Sequence, residues 1–304
     1  MPTPVTVNSR SPLLVQADRM TALDREVQRL GQQIALGERF TRPSEDPAAA
    51  NRAAQLTRLG IRLEADQRSL DRAGSRLSLA ETAADTAGSA LLRARELALA
   101  GANGTQTAED RQVIARELAM LRQQLVDAAN ARDESGRYLF AGARNKEAAY
   151  AAQADGSIIW QGHDRAAGAE AAGIGGVAPS SGPLLFGKGG ESAFAMLDQL
   201  AAALDEADPE LRKTAFAETI AGLEAATNRL LDGQARIGAG RARLQAEGER
   251  IAEAKLQTAE ALSAVKGLDL TEAIARLDAL KTTLEAAQAS FTYIHDGTLF
   301  DRIG

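Results

Sequence analysis

The chain has 304 residues, no cysteine, a formal net charge of −6 and only 4% aromatic residues. The missing cysteines exclude disulfides, thiolate metal sites and cysteine nucleophiles, and the acidic balance gives no basic excess to hold a nucleic-acid backbone. Alanine, leucine, arginine and glutamate are abundant and favour long helices, because these side chains lose little rotamer freedom in a helix.

The N-terminal stretch "MPTPVTVNSRSPLLVQADRM" lacks a basic start followed by an apolar block, so no cleaved secretory signal is expected. No apolar run approaches the length of a membrane span, so no membrane insertion is expected. A cytoplasmic location fits these features, and so does export by a route that reads no cleavable signal. The first predicted helix covers roughly 10–36. Leu13, Met20, Val27 and Ile34 recur every seven residues with Leu23 and Leu30 between them, an apolar seam on one face. The seam breaks at Gly37.

The stretch "GERFTRPSEDPAAANRAAQL" then restarts the chain as helix. Pro43 disfavours helix at Arg42. Ser44 or Asp46 is positioned to cap the next helix by accepting from its free N–H groups. Pro47 suits the first turn, where its missing N–H would be unpaired anyway. Beyond it, Leu56, Leu63, Leu70, Leu77, Ala84 and Leu91 keep a seven-residue spacing. A sustained heptad implies a left-handed supercoil against a partner, and an unbroken helix over 48–100 would be about 80 Å long.

"GANGTQTAEDR" ends that helix. Gly101 and Asn103-Gly104 are turn residues, and Thr107 with Asp110 resembles a capping box. The short turn makes the next helix, to about Ala131, antiparallel to the first. From 140 to 190 the pattern changes to a small β-containing insertion. "DGSIIWQG" reads as a hairpin around Asp155-Gly156, and Trp160 reads as insertion core. Helix is expected to return from about 191, with Phe216, Leu223, Leu230, Ile237, Leu244 and Ile251 again every seven residues. Ala226, Gly233, Gly240 and Ala254 lie three positions on and admit a closely packed neighbour. Gly267 marks a break, after which Leu270, Leu277, Leu284 and Phe291 stay in register, with Ile274 and Ile294 alongside.

The pattern is mirrored about the middle of the chain. The simplest pairing sets the two long helices antiparallel as a rod, with the terminal segments emerging together. The expected fold is therefore mainly α: long antiparallel heptad helices, paired terminal helices and a small β-containing insertion. The expected domains are 1–40 with 268–304 (terminal, for axial assembly), 41–139 with 191–267 (long-helix rod) and 140–190 (outer insertion). A lone pair of short helices buries little surface, so both ends are expected to become ordered when neighbouring copies cover their stripes. Periodicity alone also suits a generic coiled-coil scaffold. An enzyme is not expected: there is no phosphate-binding loop, "GIGG" and "GAG" are too short for a dinucleotide fingerprint, and His163 and His295 have no metal-ligand spacing. No cofactor is implied.

Local motifs sharpen this reading. "TRPSEDPAAANRAAQL" resembles an N-P-S-D-D-P-A-A stretch of the flagellar hook–filament junction proteins in the bacterial flagellin family. Arg42 stands where that family often has Asn, and Glu45 stands in place of Asp. "RARELALAGANGTQTAEDRQVIARELAMLRQQLVDAAN" is similar to the R-E-L-A…A-N-G-T…D-R segment shared by flagellins and junction proteins. "GRYLFAG" followed by "DGSIIWQG" resembles the junction branch in particular. The resemblance implies an extracellular structural protein of the flagellum, needed for motility and exported through the type III apparatus without a cleaved signal. It further implies a ring of copies between hook-associated protein 1 and flagellin, and an export chaperone as partner. Leu13, Met20, Leu23, Val27, Leu30, Ile34, Leu270, Ile274, Leu277, Leu284, Phe291 and Ile294 would form the assembly interface. Gly37, Pro43, Ser44, Asp46 and Pro47 would form the joint to the rod. A filament-forming flagellin or a flagellin-like surface protein is the alternative within the same family.

Overall fold

The computed structural model describes residues 12–103, 106–163 and 181–300, and the side-chain surroundings of those between 14 and 293. In chain order they form α1 (Pro12–Leu36), α2 (Pro47–Gly101), α3 (Ala108–Ala129), β1 (Tyr150–Ala152), β2 (Ile158–Trp160), α4 (Gly182–Phe186), a 3₁₀ turn (Gly189–Glu191), α5 (Ala193–Asp205), α6 (Pro209–Lys266) and α7 (Leu270–Phe300). The fold is mainly α, and the hairpin β1–β2 is the one sheet among the described residues.

Short polar side chains decide where helices start. The Asp46 carboxylate accepts the Ala49 N–H at 2.9 Å, with Pro47 as the first residue of α2. Asp208 does the same for α6, accepting the N–H groups of Glu210 (2.8 Å) and Leu211 (3.3 Å) ahead of Pro209. Asp269 caps α7 through Thr271 and Glu272. At α3, Thr107 and Asp110 cap each other reciprocally. Helix returns at Ala193, close to the expected 191, and restarts at Asp208-Pro209. Proline cannot continue a helix interior, so α5 ends at Asp205 and α6 begins afresh.

The chain divides into two compact units: residues up to Arg62 with those from Ala254 onward, and Leu63–Glu253. In the second unit α2 and α6 run antiparallel. Their register is marked by Arg95–Glu224 at 2.6 Å, Gln234 donating to Asp85 at 2.8 Å, and Arg241 with Glu81. Leu63, Leu70, Leu77, Leu91, Phe216, Leu223, Leu230, Ile237, Leu244 and Ile251 are all buried here. α3 lies on α2 through Arg93–Glu117 at 2.6 Å, and α5 lies on α3 through Arg122–Asp198 at 2.6 Å. With neighbours on several sides, α2 also buries Ala80, Ala83, Ala84, Ala87, Ala90, Ala94 and Ala98. A single heptad seam therefore describes α2 incompletely here. Gly233 is required by packing, since a Cβ there would lie 2.7 Å from Leu185 Cγ.

The described part of 140–190 is built around four aromatic rings rather than a sheet. Tyr150 stacks at a tilt on Phe194 with centroids 4.9 Å apart, and Phe186 meets Phe140 and Tyr150 edge-on at 5.3 and 5.7 Å. Two strands of three residues cannot enclose a core alone, so Phe194 of α5 completes it. The hairpin pairs Tyr150 with Trp160 and turns at Gly156, whose φ of 83° suits glycine. Asn130 extends the ladder from the end of α3, exchanging side-chain hydrogen bonds with the Tyr150 N–H (3.0 Å) and C=O (2.9 Å). The half-buried Trp160 donates from Nε1 to the Phe140 carbonyl at 3.3 Å.

Candidate functional site: the paired joints and terminal helices

The first unit holds the elements that the sequence marks for assembly. α1 ends in a Schellman motif, which satisfies two carbonyls that the helix end would leave unpaired. Gly37 has φ of 67°, its N–H donates to Ile34 O at 3.3 Å, and the Glu38 N–H donates to Gln33 O at 3.1 Å. The chain then runs extended. Glu38 pairs antiparallel with Gly267, the other joint. The Arg39 N–H donates to Lys266 O at 2.7 Å, and the Leu268 N–H donates to Gly37 O at 3.1 Å. Lys266 Nζ lies 2.9 Å from Glu38 Oε1. The buried side chain of Gln33 donates to the Arg39 carbonyl at 2.6 Å, and Phe40 is buried beside this backbone.

A tight turn leads into α2. The Glu45 N–H donates to Arg42 O at 3.0 Å, so Pro43 and Ser44 occupy the turn's centre. Glu45 accepts from the Thr41 N–H at 2.9 Å and its hydroxyl at 3.2 Å. The Thr41 backbone N–H is the leading cause holding the Glu45 carboxyl below its ordinary value. Of the two expected caps, Asp46 performs the role, and Ser44 is committed to the turn. Arg39 also reaches Asp46 at 3.1 Å, bracing the cap against the extended segment.

α1 packs against α7, with Arg276 reaching Glu26 at 3.3 Å. Along the pair, Leu30 is buried, while Met20, Leu23, Val27, Ile34, Leu277, Leu284 and Phe291 are half-buried. Leu270 and Ile274 remain 48% exposed. Leu13 and Ile294 lie within α1 and α7, but their side chains fall outside the described residues. Leu56 of α2 is buried in this unit. The two ends are helical and paired within one chain, with part of the stripe uncovered. Sequence reasoning missed buried members of this unit, among them Gln33, Phe40 and Ala273. Phe40 carried a signal, as the sole aromatic between two breaks in the helical pattern. Gln33 carried none, because a glutamine on a helix ordinarily faces solvent.

Among the described residues, no group of three His, Cys, Asp or Glu side chains could hold a metal, and no helix is long and apolar enough to cross a membrane. What this unit offers is surface and register. Two chain ends folded on each other with a stripe partly uncovered define a helical structural subunit. Residues 7–145 match the bacterial flagellin N-terminal helical region and residues 220–294 match the bacterial flagellin C-terminal helical region, so the chain belongs to the bacterial flagellin family. It is similar to flagellar hook-associated protein 3 of Escherichia coli (strain K12), with 28% identity over 302 residues covering 90% of this chain and 92% of that one. It is similar to the Salmonella typhimurium protein of the same name, with 30% identity over 125 residues, 41% of this chain and 39% of that one. A solved structure assigned as a flagellar hook-associated protein from Vibrio parahaemolyticus shares the fold, with a TM-score of 0.66 and 23% identity, over 73% of this chain and 100% of that one.

Proposed function

We propose that this chain is a structural subunit of the bacterial flagellum that joins hook to filament. The observation that carries the reading is the terminal pair. Both chain ends meet at one pair of joints, and residues such as Leu270 and Ile274 stay half exposed until another molecule covers them. In this reading, 1–40 with 268–304 form the axial assembly domain, 41–139 with 191–267 form the long-helix domain, and 140–190 faces outward. Copies of the chain form a ring, with hook-associated protein 1 on one side and flagellin on the other. The chain is held by an export chaperone before secretion and works outside the cell.

Electron microscopy of hook–basal bodies from a deletion strain tests this. Hooks without filaments, with flagellin secreted as monomer, are expected, and restoring the gene restores filaments. Filaments of normal length in the deletion strain would refute the role. Purified subunits are expected to stop at short oligomers that seed flagellin. Unaided growth into long filaments would instead identify a filament subunit.

A further inference from the structure

Phe140, Tyr150, Phe186 and Phe194 come from four separate segments, yet each is 2% exposed or less. Phe140 follows α3, Tyr150 lies in β1, Phe186 ends α4 and Phe194 stands in the first turn of α5. Phe186 meets all three of the others, with centroids 5.3, 5.7 and 6.2 Å apart. Lifting α4 therefore uncovers rings on three other segments at once. We propose that the hairpin, α4 and α5 form one cooperative layer on α3 and α6, so that none of the three opens alone. The described part of 140–190 then draws its stability from the long-helix unit and has none of its own. A pair of three-residue strands could not supply it.

Polar ties cross the same boundaries. Arg122 of α3 donates from Nε and Nη2 to the Asp198 carboxylate on α5, at 2.6 and 3.2 Å. The same Nη2 donates to the Gly156 carbonyl in the hairpin turn at 2.6 Å. One guanidinium thus holds the turn and α5 together. The Phe140 carbonyl accepts from the Gly182 N–H at 3.0 Å as well as from the Trp160 indole, which joins the start of α4 to the hairpin. The buried Tyr150 hydroxyl reaches across α4 to Gly187 O. Arg229 of α6 donates to the Glu191 carbonyl at 2.9 Å, just before α5. Gly182 admits this closeness: a Cβ there would lie 2.7 Å from Tyr150 Cε2. When one segment lifts, its partners lose ring contacts and are left with unpaired polar groups, and the second loss costs more than an ordinary hydrogen bond contributes.

Native-state hydrogen exchange on the full-length chain tests the layer. The probes are three amides: Gln161, which donates to Ala149 O at the open end of the hairpin, Gly187, which donates to Pro183 O after α4, and Leu200 within α5. In wild type the three are expected to share one opening free energy and one denaturant dependence. Gly156 has φ of 83° and open space where a Cβ would stand, so Gly156→Ala strains the turn and touches nothing else. It is expected to speed exchange at all three amides by a common factor of about ten. Gly156→Asn restores much of the protection, because asparagine tolerates positive φ. Asp198→Asn weakens the Arg122 tie from the α5 side and is expected to speed the same three amides together by a smaller factor. A change confined to Gln161 in Gly156→Ala, or to Leu200 in Asp198→Asn, would overturn the proposal, as would different opening free energies in wild type. All three probes lie within Leu63–Glu253, so either result leaves the junction role standing.

Discussion

Replacing Ile274 by aspartate separates folding from assembly. In the single chain Ile274 is 48% exposed, so the substitution removes little intramolecular cover. Ile274 also sits near the N-terminus of α7, where a carboxylate is tolerated by the helix dipole. The monomer should therefore change by no more than about 0.5 kcal/mol, as for an ordinary surface change. Assembly is different. Covering the exposed half of an isoleucine contributes roughly 1 kcal/mol, half of the value for full burial. Covering an aspartate instead leaves a charge without water, which costs several kcal/mol unless it is paired. A combined loss of about 3 kcal/mol lowers an association constant more than 100-fold. Circular dichroism melting would read the monomer, and complementation of a deletion strain scored by motility would read assembly. Leu30→Asp is the control: Leu30 is 5% exposed, so that change should unfold the first unit itself. Full motility with Ile274→Asp would show that this face stays uncovered in the flagellum. An unfolded Ile274→Asp monomer would show that the stripe's cover comes from within the chain.

Asp46→Ala removes the α2 cap and the Arg39 contact, and should cost about 1 kcal/mol, read as faster amide exchange at Ala49 and its neighbours with Leu118 unaffected. Gly233→Ala gains about 1 kcal/mol of helix propensity but crowds Leu185, and overpacking of 1–3 kcal/mol is the larger effect. A lower denaturation midpoint, recovered when Leu185→Ala is added, is expected. Tyr150 donates to Gly187 O at 3.0 Å and is buried, and that burial raises its phenol above the ordinary value of 10.0. Its folded value exceeds the unfolded one, so its contribution is complete below about pH 10 and is lost as the pH rises through the folded value. Tyr150→Phe should cost about 1 kcal/mol at neutral pH and flatten the loss of stability in alkali, measured by denaturant titration across that range.

The heptad seam was legible because its cause is local. A leucine every seven residues needs cover, and every such leucine from Leu56 to Leu91 is buried. Caps were legible where a short polar residue met proline or an acid three positions on, as at Asp46-Pro47 and Thr107. Asp208-Pro209 carries the same signal, within the helical stretch that begins at Ala193. The buried alanines of α2 were not legible as core, since alanine is equally common on helix surfaces. The pairing of the two joints was not legible either. "GER" and "KGL" are unremarkable in isolation, and pairing across 228 residues leaves no local trace. Asn130 acts as a surrogate strand for Tyr150 only because the chain returns to it 20 residues later.

The alanines also bear on how the chain distributes its packing. From Leu56 to Leu77 the leucines of α2 are buried at one position per heptad, whereas from Ala80 to Ala98 the buried positions run 80, 83, 84, 87, 90, 91, 94, 97 and 98. That is the spacing of a wide apolar stripe rather than a narrow seam. The wide stripe has its neighbours within the chain, from α3, α5 and α6. The narrow seam leaves apolar side chains beside it uncovered, with Leu59 at 43% and Ile61 at 60% exposure. A helix with one buried residue per heptad draws little stability from packing. Its remaining apolar surface gains only when something else covers it. The terminal helices show the same economy, with a single fully buried leucine, Leu30, among the stripe residues described. A subunit that completed its own packing everywhere would have nothing to gain from its neighbours. This one leaves apolar side chains exposed in both units, Leu36, Leu270 and Ile274 in the first and Leu92, Leu99 and Leu231 in the second.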